Sequence, residues 1–338
     1  MNIKGQQILN PKKLAVVRFY NRLSGNFKPS RNANKSISKD NIKRILVQEH
    51  QCIGDVLMLE PTLSAIKEGF PNAELDLLCL SSVKELAERT KLADRILTYP
   101  QELPGAGSYD LVFDFHADVR RLRLLKNYKA KYCAGFNFSG GAKWLTHVID
   151  YPFSEHQVER PFELLALLDI VVKRNIPLLG GFHSDIKEKK QILLHPGANH
   201  EARRWPIEHW MELINILEAD DHDVLWINPP GEKAPEGIRV FSGSLLEMAK
   251  IIVDSRLLIG CDSMSVHLSA ALGTPSLAIF GSQDPELTKP YGPNGYFIIP
   301  EKECNHRRTD WRLCKECMRS VSPENVFEHI KIILNNIN

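Results

Sequence analysis

Long apolar runs are missing from this sequence: no stretch approaches the roughly 20 uninterrupted apolar residues that a membrane span requires. The N-terminus, MNIKGQQILNPKKLAVV, lacks the apolar region and the small-residue cleavage site of a secretory signal, so a cytoplasmic location is expected. A large net excess of either charge is also missing. A formal net charge of +2 is too small to argue for nucleic acid as a partner. Neither GxxxxGK(S/T) nor GxGxxG occurs, which disfavours a P-loop NTPase and a dinucleotide-dependent dehydrogenase.

Cysteine is present but scattered. Cys79 in LDLLCL and Cys261 in LLIGCD read as small hydrophobes in strands. Only Cys304, Cys314 and Cys317 cluster, in ECNHRRTDWRLCKECM. The CxxC pair, with Cys304 and His306, could hold a structural metal; reduced packing thiols or a disulfide are the alternatives, since no second CxxC exists.

At 338 residues, the chain is long enough for about two domains. The first forty residues stand apart. Lys4, Lys12, Lys13, Arg18, Arg22, Lys28, Arg31, Lys35 and Lys39 face only Asp40 of opposite sign. KKLAVVRFYNRL spaces apolar residues between cations, which suits either an amphipathic helix on an anionic membrane face or a solvated leader.

From residue 42 the pattern alternates between strand-like and helix-like segments: IKRILVQ, a helix over about 55–69, ELDLLCL, a helix near 82–90, ADRILTYP, YDLVFDFH, a basic helix over 118–128, and KYCAGF. One helical segment follows over 158–172, and the rhythm pauses in NIPLLGGFHSDIKEKK. A second series runs QILLHPG, a helix opened by Pro206, DVLWINP, IRVFSG, SLLEMAKIIVDS, RLLIGCD, a helix over about 263–272, and PSLAIFG. The expected fold is α/β, two Rossmann-like domains facing across a cleft. Residues 1–40 would form the basic extension, 41–180 the first domain and 181–338 the second. Ligands of such sheets sit outside the carboxyl ends of the strands.

Three loops carry unusual residues there. In QEHQCIGDVLMLEP, Gly54 and Asp55 fall where a strand hands over to a helix. Asp55 there is either a helix cap or a general base toward a hydroxyl nucleophile. In LHPGANHEARRWP, Gly197, Ala198 and Asn199 could let phosphates approach the backbone, and Arg203 and Arg204 could add guanidinium forks. In IGCDSMSVHLSAALGTP, Asp262 ends a buried strand, Ser263 and Met264 start a helix, and His267 lies one turn along. That helix N-terminus is either an anion site or simply capped, with a satisfied core histidine. Together the second and third loops point at a nucleoside diphosphate. A fourth stretch, DFHADVRRLRLLK, sets His116, Arg120 and Arg121 on or beside a basic helix, as a cationic wall for an anionic acceptor or a solvated face.

The order IGDV…P…L…FP.A, YDLV.D.H.D.R, HPG……RWP and D…HL.AALGTP…FG..DP resembles glycosyltransferase family 9, the lipopolysaccharide heptosyltransferases, from about residue 42 to the C-terminus. The resemblance implies a GT-B fold with acceptor on the N-terminal domain and donor on the C-terminal one. It implies inverting transfer from ADP-heptose to an anionic lipopolysaccharide core acceptor, with no cofactor or metal; peripheral contact with the inner membrane is suggested instead by the basic first forty residues, which lie outside the shared pattern. It maps the catalytic base onto Asp55, the phosphate-binding cation onto Arg204, and the donor motif onto Asp262 and His267. Another nucleotide sugar, a protein acceptor, or a non-catalytic nucleotide-sugar-binding module are the alternatives. Three stretches depart from the pattern: Gln51-Cys52-Ile53 precede the Gly-Asp where many heptosyltransferases have two small hydroxyl residues, Arg204 replaces Lys, and Met264 replaces Gly.

Overall fold

The computed structural model describes residues 19, 33–50, 52–137, 141–186, 189–301 and 314–337. The expected basic leader therefore lies largely outside the described residues, as do Gln51, Cys304 and His306. The chain divides into two compact units between Asn175 and Ile176, where the NIPLLGG stretch begins.

The N-terminal unit is built on β1 (Arg44–Gln48), β2 (Glu74–Leu80), β3 (Arg95–Tyr99), β4 (Leu111–Asp114), β5 (Tyr132–Asn137) and β6 (His147–Asp150). All pair in parallel, in the order β3-β2-β1-β4-β5-β6. Ile45, Leu46 and Val47 of β1 are fully enclosed, as a central strand covered on both faces requires. The edge strand β6 is closed by a side chain: Asn34 Nδ2 donates to the Val148 carbonyl at 3.0 Å, and the Val148 N–H donates to Asn34 Oδ1 at 2.8 Å. That pairing satisfies two backbone groups an open edge would leave exposed.

The C-terminal unit repeats the plan with β7 (Gln191–His195), β8 (Asp223–Ile227), β9 (Val240–Phe241), β10 (Leu257–Cys261), β11 (Ser276–Ile279) and β12 (Gly295–Ile298), in the order β12-β11-β10-β7-β8-β9. Its core includes three tryptophans in edge-to-face series, with ring centroids 4.9 Å apart for Trp205 and Trp210 and 6.0 Å for Trp210 and Trp226. The Trp205 indole N–H donates to the Val321 carbonyl at 2.8 Å, so the loop after β7 is tied to the start of the C-terminal helix Pro323–Asn336.

Each unit has its first strand in the middle and reverses direction beside it. The reversal falls between β1 and β4 in one unit and between β7 and β10 in the other. At such a switch point neighbouring loops diverge and leave a crevice outside the strand ends.

Two helical expectations needed revision. The helix over 55–69 is two, Ile53–Met58 and Glu60–Gly69, because the chain breaks at Leu59 ahead of Pro61, whose ring is tolerated only in a first turn. The segment 158–172 is helical only over Arg160–Ala166; Asp169, at φ 54°, turns the chain away. Strands β6 and β12 carry weak apolar alternation and were not among the expected elements.

Candidate active site

The N-terminal switch point holds a dense set of ionisable groups. Glu49 follows β1, Asp114 ends β4, and Arg121 comes from the helix Val119–Tyr128. Arg121 donates to Glu49 Oε1 at 2.8 Å and to the Gln48 carbonyl, and its Nε lies 3.3 Å from Asp114 Oδ2. Gln48 Nε2 donates to the same Asp114 oxygen at 2.6 Å, while Asp114 Oδ1 accepts the N–H groups of His116 and Ala117 at 3.1 and 2.9 Å. Burial works against the charge of Arg121, but Glu49 and Asp114 hold its proton more tightly than usual. Breaking such a buried pair from one side costs about 3–5 kcal/mol.

The reading of Arg120 and Arg121 as one cationic wall is therefore corrected. Successive helix residues point about 100° apart. Arg120 is 77% exposed and pairs with Asp118, whereas Arg121 is 3% exposed and points inward. Only Arg120 is presented to solvent.

Asp55 stands in the first turn of Ile53–Met58, behind the buried Gly54. A small pocket is lined by Asp55 with Glu49, Leu59, Phe115, Gln157, Arg160 and Pro161. The side chain keeps some solvent contact but is packed by protein on most sides. Burial, and next the neighbouring Glu49 charge, raise its pKa; His116, Arg121 and Arg160 oppose the rise. Among the described residues its carboxylate accepts one hydrogen bond, from Gln157 Nε2 at 3.5 Å. It does not cap its helix: Cys52 occupies that position, and its side chain makes no capping bond to the first turn. What remains is a carboxylate at a pocket wall with raised basicity, the arrangement a general base needs.

At the C-terminal switch point the loop after β7 and the loop after β10 meet. Arg203 pairs with the buried Asp262 at 2.6 Å, and Arg204 donates to the Ala198 carbonyl at 3.0 Å and pairs with Glu232 at 2.7 Å. Asp262, Arg203 and Arg204 are thus brought together with Ala198. Gly197 is buried for a local reason: a Cβ there would lie 2.7 Å from His195 Cε1. Asn199 is exposed. Ser263 precedes the helix Met264–Ala271 in extended conformation without capping it; its hydroxyl lies 3.2 Å from that of Ser265. Met264 is half-buried at the first helical position.

His267 and His195 are both buried, and burial lowers each to a pKa of about 4, so both are neutral at physiological pH. Among the described residues, several buried polar atoms here find no hydrogen-bond partner: His195 Nδ1, Arg203 Nε, Asp262 Oδ1 and both amide atoms of Gln283. Gln283 follows β11, beside β10, and was not among the candidates. Glu49, Gln157 and Arg160 were also missed. Glu49 had the strand-end rule to point to it; the other two sat in an ordinary-looking segment. Of the CxxC residues, Cys314 and Cys317 place their sulfurs 3.3 Å apart. Among the described residues no group of three or more potential ligands could hold a metal ion.

One switch point thus gathers carboxylates around a buried arginine, and the other sets two arginines beside a buried aspartate. Residues 101–316 match glycosyltransferase family 9 (heptosyltransferase). The chain belongs to this family. Lipopolysaccharide heptosyltransferase 1 of Escherichia coli K12 is 22% identical, over 74% of this chain and 92% of that protein. Among solved structures, a family 9 glycosyltransferase from Veillonella parvula superposes with a TM-score of 0.72 at 16% identity, covering 90% of this chain and 100% of that one. Heptosyltransferase II of E. coli gives 0.68 at 18%, covering 87% and 99%. The iron-containing dodecameric glycosyltransferase TibC of E. coli gives 0.62 at 16%, covering 88% and 77%. The fold is GT-B, two Rossmann-like α/β units, and the chemistry of the family is glycosyl transfer. No helix among the described residues is long and apolar enough to cross a membrane.

Proposed function

We propose that the chain is an inverting transferase that moves a heptose from ADP-heptose onto an anionic, lipopolysaccharide core-type acceptor. The observation that carries the reading is Asp55: a carboxylate at a pocket wall, of raised basicity, with one weak hydrogen bond. In the transfer the acceptor hydroxyl attacks the anomeric carbon while its proton passes to Asp55. The bond from that carbon to the diphosphate breaks, and its electron pair leaves with the phosphate. One displacement inverts the centre.

The donor side falls to the C-terminal unit. Arg204 exchanges its Glu232 partner for phosphate, Arg203 and Asp262 shape the wall, and the N-terminus of Met264–Ala271 faces the departing charge. Fixed cations and backbone N–H groups of this kind stabilise a leaving group that develops charge in the transition state. With them in place, transfer would need no metal. His267, held neutral, adds a donor or acceptor without like-charge repulsion. The names of the relatives support the donor: one solved heptosyltransferase, WaaC, is described with ADP and another structure of it with an ADP-heptose analogue. Work at the cytoplasmic face of the inner membrane fits the cationic first forty residues.

The test is Asp55→Asn, with transfer and ADP binding measured on the same preparation. Loss of transfer with retained ADP affinity supports the base; full activity sinks it. A panel of ADP-, GDP- and UDP-sugars then sorts the donor, and turnover in excess chelator checks the metal.

A further inference from the structure

Gln157, in the turn after β6 and 102 residues beyond Asp55 in the chain, and Arg160, the first residue of the helix Arg160–Ala166, both line the Asp55 pocket. Arg160 is buried and held on three sides. Its Nε donates to the Glu155 carbonyl at 3.0 Å, its Nη1 donates to the Tyr151 hydroxyl at 2.9 Å, and Nη1 also donates to Gln157 Oε1. The guanidinium also lies over the Tyr151 ring, 5.4 Å from its centroid.

A guanidinium only donates and an ionised carboxylate only accepts, so an amide wedged between them has one orientation. The Gln157 oxygen faces Arg160 and its NH2 faces Asp55. The amide reaches Oδ1, and among the described residues nothing donates to Oδ2. We propose that Gln157, locked by Arg160, is the positioning device that divides the work of the Asp55 carboxylate: Oδ1 stays bound to the amide and Oδ2 takes the acceptor's proton.

The inference rests on Asp55 being the base. The proton balance follows the orientation. When the acceptor O–H breaks and Oδ2–H forms, Oδ1 remains an acceptor and the Gln157 bond survives the step. A proton on Oδ1 would instead set two donors against each other. The 3.5 Å separation is long, as catalytic hydrogen bonds often are before substrate arrives. Arg160 has a second effect, because its charge opposes the rise in Asp55 basicity caused by burial and Glu49.

The experiment compares Gln157→Leu, Arg160→Met and the double variant with the parent in the full chain, reading kcat, KM and the pH profile of kcat/KM. Gln157→Leu should lower kcat by about tenfold, less than the roughly 10²–10⁴-fold that positioned proton transfer itself contributes, and leave KM within about twofold. Arg160→Met should do the same and also move the acid limb of the profile to higher pH, since a cation near Asp55 is lost. The double variant should be no worse than Arg160→Met alone, because both act through one contact. Arg160→Lys keeps the charge but not the fork, so it should restore the limb more than kcat. Should Arg160→Met fail to fold, Gln157→Leu and Arg160→Lys carry the test. An unmoved acid limb in Arg160→Met, unchanged kcat in Gln157→Leu, or multiplicative losses in the double variant would overturn the proposal. Failure of Asp55→Asn to abolish transfer would instead remove the base itself, so the two failures are distinguishable.

Discussion

After β1 and β4 the N-terminal unit places Glu49, Asp55, Asp114 and Arg121; after β7 and β10 the C-terminal unit places Arg203, Arg204, Asp262 and two neutral histidines. The strand order around both points is the same, so topology supplies two equivalent crevices and the side chains alone give them different chemistry. In the first, a cation is buried between carboxylates and cannot be offered to a ligand. In the second, Arg204 is 42% exposed and holds a partner, Glu232, that is itself partly in water. A pair of that kind is worth little to stability and is easily exchanged for phosphate. On the proposed reading, one crevice tunes a base and the other takes an anion.

The comparison breaks first at the two arginines. Arg121→Met should destabilise the chain by about 3–5 kcal/mol, because it leaves Glu49 and Asp114 buried without their cation. Denaturant unfolding measures this; a loss under about 1 kcal/mol would mean the network is not the anchor drawn here. Arg204→Ala should cost less than about 1 kcal/mol of stability but weaken ADP binding by about tenfold, read by titration calorimetry. If both variants lost stability alike, the contrast between the crevices would be wrong.

A smaller effect comes from protons. His195 and His267 have folded pKa values of about 4, below the ordinary 6.5, so the unfolded chain binds more protons between those values. Their contribution is fully present above pH 6.5 and is lost as pH falls toward 4. His50, stacked on Tyr99 at 3.9 Å and also lowered to about 4, adds the same sign in the N-terminal unit. His267→Gln should flatten the fall of melting temperature across that window. Glu49→Gln tests the other crevice: with one source of the rise removed, the acid limb of activity should move to lower pH. The least effect is expected of Met264→Gly, a change of a few-fold in ADP affinity with no shift in the acid limb, because Met264 stands at a helix start of the C-terminal unit and adds no charge.

Much of the frame was legible before any coordinates. β1, β2, β7, β10 and β11 announce themselves as apolar runs, because a parallel strand covered on both faces has no polar side to interrupt it. The segments after these runs carry Asp55, Arg203 with Arg204, and Asp262, which is where the strand-end rule directs attention. Arg121 was misplaced because spacing on a helix shows which residues share a face, not which face meets the sheet. Gln157 and Arg160 had no local signal, since their meaning depends on a turn after an edge strand folding back to β1.

The sequence by itself determined the two β–α series, the absence of phosphate loops of the nucleotide-triphosphate kind, and the positions where strands end. These follow from local periodicity and from residue types whose chemistry is fixed. Only the tertiary structure decided that one arginine of an adjacent pair is a buried counter-charge and the other a surface group. It also decided that Asp55 stands beside a second carboxylate and under one amide. Charges act over a few ångströms regardless of their separation along the chain, so the basicity of Asp55 belongs to the fold.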